Sequence, residues 1–474
     1  MGDSRRDSLK NTMVIAVSRV VQILAGIVRS KAIALILGPV GMGLNGLYNS
    51  AINMISEFCV FGLGFSAVRE IAGDRANAAD TLKTVSSWLR MLAVIGLCAT
   101  LVLAPVLSGW AFGDSSHAWG FRILSVAVFF NVMTQGMLAV LQGMREIKRL
   151  AYSSMAGALA SIVIAVPLYW MMGDRGIPYA IAAASLAFFA IPAYHVSRLR
   201  LGKSSLRLRE ALKRGKEMMK LGGIQMATTL LAAASVFAVN SYISFAGSLF
   251  TLGLYQAGMS LTMQYSSMIF NSMASEYFPR LSSLREEPQE MYRAVNDQIK
   301  NSLLMISPVA AAVMSLAPVI IWALLSSEFQ SIRTFIIIMA VNVVVKGASV
   351  PVGYMSFAYG DKKTFFFLEG IFSNATVLAA GIIGFIIGGI NGVACLTLAL
   401  EVLYLMIVMV VARRRYGFRP DRSSLRNIII ALVVASATAV MLILPHPLLH
   451  YAGWTLSAVI VGVYGLKAYR LLRG

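Results

Sequence analysis

Apolar runs of about 20 residues recur along nearly the whole chain, separated by short polar breaks, and this leaves few folds open. A hydrocarbon core about 30 Å thick is crossed by about 20 helical residues, and inside it every backbone polar group must find its partner within the spanning structure. A 20-residue window places helices at 12–36, 43–70, 84–112, 119–142, 150–172, 177–197, 221–246, 251–277, 300–325, 330–357, 364–388, 391–412, 427–445 and 451–469. With 58% hydrophobic and 13% charged residues over 474 positions, little is left for a soluble domain. The expected fold is an all-α integral membrane protein of about 14 transmembrane helices. The polar start "MGDSRRDSLKN" leads into an apolar segment without a small-residue cleavage site, so the first helix is expected to double as the insertion signal.

Basic residues sort to one side of these helices. With the N-terminus inside, the cytoplasmic segments hold 33 of the 41 Lys and Arg, whereas the opposite loops hold one, Arg175. The positive-inside rule then places both termini in the cytoplasm. A formal charge of +20 suggests nucleic acid at first sight. Spread over many loops on one face of a membrane, it reads instead as topology and attraction to anionic membrane lipids. The longest basic run, Arg198 to Lys220, is the expected divider: a six-helix lobe over 1–200, a basic linker over 201–220, a second six-helix lobe over 221–412 and two further helices over 413–474. Cys59, Cys98 and Cys395 fall inside predicted spans and read as small apolar fillers.

Charges that topology does not require are functional candidates, since one at the bilayer centre costs about 2.5–3.5 kcal/mol even on insertion scales. They are Arg19, Arg29, Lys31, Glu57, Arg90, Lys346, Glu369 and Glu401, with Arg90 close enough to a helix end to snorkel. At about 100° per residue, Asn11, Ser18, Arg19, Gln22, Gly26, Arg29 and Ser30 share about a third of one helix's circumference. Lys31 lies off that stripe, and snorkelling accounts for it as well as function does. On the next helix Asn45, Asn49, Asn53, Ser56 and Glu57 lie within about 120°. Such stripes face protein or water, either as interhelical hydrogen bonding or as the wall of a hydrated path.

The second stripe recurs 207 residues later, where "GLYNSAINMISE" at 46–57 aligns with "GLYQAGMSLTMQ" at 253–264. Asn49 falls over Gln256, Asn53 over Ser260 and Glu57 over Gln264, and Ser267, Asn271 and Ser275 continue the pattern. An offset of six helices preserves orientation, so the lobes are expected to be parallel repeats about an axis along the membrane normal. Arg19, Arg29 and Lys31 map to Met226, Val236 and Ala238, which makes the first half the cationic one.

"GPVGMGLNGLYNS" after a basic first helix, "EYFPRLSSL" further on, and the six-plus-six plan with two extra helices resemble the Wzx-type polysaccharide and O-antigen flippases of the multidrug/oligosaccharidyl-lipid/polysaccharide (MOP) exporter superfamily. The resemblance implies a MATE-like pair of lobes around a central cavity, alternating access, and movement of undecaprenyl-diphosphate-linked oligosaccharide from the cytoplasmic to the periplasmic leaflet of the bacterial inner membrane. It also allows a coupling proton or sodium ion and a polysaccharide polymerase as partners. A basic residue seven positions before the Gly-Pro is typical of the family, and here it is Lys31. The expected substrate-binding set is Arg19, Arg29, Lys31, Asn49, Asn53, Glu57, Gln256, Gln264 and Lys346. The cations would hold the diphosphate and the amides the sugar hydroxyls, while Glu57 would balance charge in the empty cavity or take up a coupling proton.

Other classes fit less well. His446 and His450 have Pro447 between them and no third ligand, so neither a metal nor any other cofactor is expected. In "LGKSS" Ser197 stands where a phosphate-binding loop requires glycine, so no nucleotide site and no enzyme is expected. A cation-coupled drug antiporter would call for acidic midplane residues. A lipid II flippase shares the helix count and the cationic cavity, and the sequence separates it poorly.

Overall fold

A computed structural model of the chain describes residues 2–74, 77–199, 204 and 206–473, without the side chains of 2–13, 16, 208, 220–222, 224, 225, 271, 272, 274, 275 and 468–473. Asn11, Asn271 and Ser275, at the ends of the two predicted stripes, lie outside the described side chains. The order is α1 Gly2–Ile36, α2 Gly38–Val60, α3 Leu63–Gly73, α4 Ala78–Val102, α5 Ala104–Phe112, α6 Ala118–Gly143, α7 Ile147–Met172, α8 Gly176–Ser197 and α9 Leu208–Ala246. There follow α10 Leu249–Ser283, α11 Pro288–Leu324, α12 Arg333–Ala358, α13 Lys362–Phe365, a π-helical turn Phe366–Phe372, α14 Ser373–Tyr416, α15 Arg422–Ile443 and α16 Pro447–Arg473.

The fold is all-α and multi-pass. Among the described residues nine helical stretches are long and apolar enough to cross a membrane, or ten counting one bent pair. Two of the nine, of 51 and 55 residues, are more than twice the length a single crossing takes. The first is divided by a 3-10 turn at Gly173–Arg175, and α7 packs along α8. The second is divided at Gly388 and Gly389, whose backbone is non-helical, within the predicted "GGING" loop.

Several predicted helices are broken. The window 43–70 is two helices bent by 50°, because Phe61 and Gly62 take the left-handed conformation at φ 51° and 71°. The window 84–112 breaks at Leu103, two residues before Pro105, which has no N–H to carry the first helix onward. The Gly-Pro-x-Gly-x-Gly segment starts α2. Gly38 turns the chain at φ 63° and Pro39 occupies the first helical turn, where its missing N–H costs nothing. Gly43 and Gly253 let backbones meet: a Cβ at Gly43 would stand 2.2 Å from the Leu249 carbonyl oxygen, and one at Gly253 would stand 1.7 Å from that of Pro39.

The chain forms two compact units, Met1–Gly253 and Leu254–Gly474. The boundary between these units lies inside α10, between Gly253 and Leu254, and the expected linker 201–220 belongs to the first unit. From Leu208 the basic run is helical, and α9 is tied into the first unit. Arg214 forms a salt bridge with Glu70, Trp88 Nε1 donates to the Leu212 carbonyl at 2.9 Å, and Ser66 Oγ donates to that of Met218 at 2.7 Å. The repeated Gly-Leu-Tyr segments have like environments in their own units. Buried Tyr48 packs edge-on to Phe121 of α6 at 5.5 Å, and buried Tyr255 packs edge-on to Phe335 of α12 at 6.0 Å.

Candidate functional site

In the first unit the polar stripes converge only in part. Ser18 Oγ donates to the Ala151 carbonyl of α7 at 3.2 Å, and Gln22 Nε2 donates to Ser18 Oγ at 2.9 Å, so this end of the α1 stripe is interhelical bonding. Arg19 is exposed and Lys31 half-buried. Further along α1, Arg29 reaches a cavity of about 330 Å³, which it lines together with Asn49, Asn53, Ser56 and Glu57 of α2. The opposite wall comes from Asn131, Thr134 and Gln135 of α6, Tyr169 of α7 and Ser185 and Phe188 of α8.

Glu57 is engaged by an amide: Gln135 Nε2 donates to its Oε1 at 3.0 Å. Asn49 Nδ2 donates to the Asn45 carbonyl at 2.7 Å and to Asn45 Oδ1 at 3.1 Å. Among the described residues Arg29 is within salt-bridge distance of no carboxylate and donates to no acceptor. A guanidinium held half-buried without a counter-ion in a polar cavity is a site for a planar oxyanion such as phosphate, which it can bind through two parallel N–H donors.

The second unit holds its own cavity, of about 530 Å³, and it contains all three charges singled out in the second half: Lys346, Glu369 and Glu401. Here the cation is paired. Lys346 Nζ lies 3.9 Å from Glu401, which also accepts from Ser349 Oγ at 2.8 Å, and Glu369 accepts from the Tyr404 hydroxyl at 2.5 Å. Gln256 and Gln264 are half-buried on α10 and line neither cavity.

Of the expected set, Arg29, Asn49, Asn53 and Glu57 line the first cavity and Lys346 the second, Arg19, Lys31, Gln256 and Gln264 line neither, and the α6 wall lies outside that set. Its signal was present in "NVMTQ", whose Asn131, Thr134 and Gln135 have the i, i+3, i+4 spacing of one helix face. Tyr404 and Ser349 carry no charge and follow no stripe.

Known proteins resemble the chain as follows. A family described as polysaccharide biosynthesis protein matches residues 32–334. The lipid III flippase of Escherichia coli (strain K12) is 24% identical over 376 residues, covering 76% of this chain and 87% of that protein. Among solved structures, the lipid II flippase MurJ in an inward closed conformation superposes with a TM-score of 0.73 at 16% identity, covering 98% of this chain and 100% of that one. An inward-facing multidrug resistance MATE family transporter of the MOP superfamily gives 0.68 at 18% identity, covering 85% and 98%. The two structural likenesses establish a shared fold.

Proposed function

Because the chain belongs to the polysaccharide biosynthesis protein family, with the fold of the MOP superfamily, we propose that it is a flippase for lipid-linked glycans rather than an enzyme. The finer reading is that it carries an undecaprenyl-diphosphate-linked O-antigen or exopolysaccharide repeat unit across the bacterial inner membrane by alternating access. The observation that carries this proposal is Arg29, without a counter-ion on the wall of a polar cavity inside an apolar helical unit. A diphosphate bearing sugars cannot cross hydrocarbon unaided, because an unpaired buried charge costs tens of kcal/mol in a medium of dielectric about 4. A cavity that offers a guanidinium for the phosphate and Asn49, Asn53 and Gln135 for hydroxyls removes that barrier.

A lipid II flippase is the second reading, favoured by the extent of the MurJ superposition, and it uses the same headgroup chemistry. The test is flipping of defined undecaprenyl-diphosphate glycans by the purified protein in liposomes. The wild type is expected to move a repeat unit and Arg29→Ala to lose at least about a hundredfold in rate, as when one partner of a buried charge pair is removed. Movement of lipid II in preference to repeat units would decide for the second reading. A folded Arg29→Ala protein that flips normally would remove the anion-path argument.

A further inference from the structure

The cavity of the second unit has a wall that a diphosphate does not explain. Two carboxylates, Glu369 and Glu401, face one ammonium, Lys346. Lys346 lies beside Glu401, so Glu369 is left with a hydroxyl donor and no cation, and the cavity carries an excess of negative charge. Phosphate oxygens are repelled there. An acyl chain is excluded as well, because it would strip these groups of water without replacing their hydrogen bonds. A metal ion would compete with Lys346 for Glu401, and no cluster of three metal-ligating side chains exists among the described residues.

The rest of the wall is aromatic. Phe357 is stacked between Phe278 and Phe365, with ring centroids 4.5 and 4.9 Å away, and Phe357, Phe365 and Tyr354 all line the cavity. Flat apolar rings beside carboxylate acceptors match a pyranose, whose C–H face stacks on a ring while its hydroxyls donate to the carboxylates. The volume of about 530 Å³ is within the usual range of small-ligand pockets. Glu369 is presented from the π-helical turn Phe366–Phe372, a local departure from α geometry that recurs at functional sites.

We infer that the cavity of the second unit is a glycan-sorting subsite, which holds uncharged sugar residues of the carried glycan against Tyr354 and Glu369 and rejects acidic ones. The inference rests on the flippase reading above. Its specificity comes from like-charge repulsion across a cavity with an excess carboxylate, a discrimination that needs no contact with any particular hydroxyl.

The experiment compares two undecaprenyl-diphosphate-linked oligosaccharides of equal length in liposomes, one of neutral hexoses and one containing hexuronic acids. Wild-type protein is expected to flip the neutral one faster by about tenfold or more. The double variant Glu369→Gln, Glu401→Gln keeps acceptors for Tyr404 and Ser349 while removing both charges, and it should bring the ratio of rates near one. Lys346→Met should widen the ratio. The two changes move it in opposite directions, whereas a folding defect lowers both rates together. Equal rates in the wild type, or a ratio indifferent to both variants, would overturn the sorting inference and leave the flippase reading standing. A wild type that moves neither glycan would end both. Transport of an organic cation, abolished by the same double variant, would reassign the cavity to a cation carrier.

Discussion

Arg29 and a lysine in its place would carry the same charge but not the same geometry. The guanidinium offers a planar fork of donors to a phosphate, whereas an ammonium is a point charge on a flexible stem. Arg29→Lys is therefore expected to keep partial flipping, about tenfold below wild type. Gln135→Leu would deprive Glu57 of the amide that now donates to it, leaving a half-buried carboxylate short of one partner. Its flipping should fall by about tenfold with the folded yield unchanged, measured in the same liposomes. Arg19 shows what periodicity leaves out. It shares a face of α1 with Arg29 but is about 15 Å away along the axis, and it is exposed. A repeat of 3.6 residues reports direction around a helix, while depth relative to a cavity is set by neighbours the sequence does not name. Asn131 and Thr134 stayed hidden for a different reason. Uncharged polar groups are common interhelical bonds in membranes, so the high cost that marks a buried charge does not mark them.

Among the elements, the start of α2 is the most tightly specified. Gly253→Ala would put a methyl carbon 1.7 Å from the Pro39 carbonyl oxygen, so the starts of α2 and α10 would have to separate. The variant should lose thermal stability by about 1–3 kcal/mol or fail to accumulate, whereas Gly64→Ala, with nothing within 4 Å of its added carbon, should be tolerated. The loop before α15 makes a pH-dependent prediction. Asp421 caps α15 through the Ser424 amide and lies 2.7 Å from Lys300 Nζ. Burial pushes its carboxyl pKa up, but the Lys300 hydrogen bond and those from Ser424 outweigh it and hold the pKa below the ordinary value. A lowered folded pKa means that the stabilisation is complete above about pH 4 and is lost as pH falls through the folded value. Asp421→Asn keeps a capping acceptor but loses the charge paired with Lys300, so it should cost about 0.5 kcal/mol at neutral pH, and the difference from wild type should shrink below about pH 4 in thermal unfolding. Each predicted helix window fell on helix because long apolar runs have no other solution in a bilayer. The breaks at Phe61 and Leu103 were less legible, since a left-handed Phe61 is fixed by the turn around it and not by its own propensity.

On the scale of the whole molecule, the orientation in the membrane rests on charge sorting, and the first unit supplies a second argument for one part of it. Arg214 of α9 pairs with Glu70 at the end of α3, and Lys83 near the start of α4 donates to the Leu206 carbonyl. The segment before the apolar part of α9 therefore lies against the connection between α3 and α4, and the two share one side of the membrane whatever that side is. Both are rich in Lys and Arg, as is the C-terminal stretch with Lys467, Arg470 and Arg473, whereas the loop around Asp114 and His117 has no Lys or Arg. Short basic loops stay in the cytoplasm, so these three segments are expected there and the Asp114 loop on the opposite side. Reporter fusions at residues 78 and 215 are thus expected to agree with each other and, together with a fusion after residue 474, to report the cytoplasm, while one at residue 115 reports the outside. Disagreement between 78 and 215 would contradict the Arg214–Glu70 contact itself. Agreement on the outer side would leave that contact intact and overturn the charge argument, and the Arg29 cavity would then have to be loaded from the opposite leaflet.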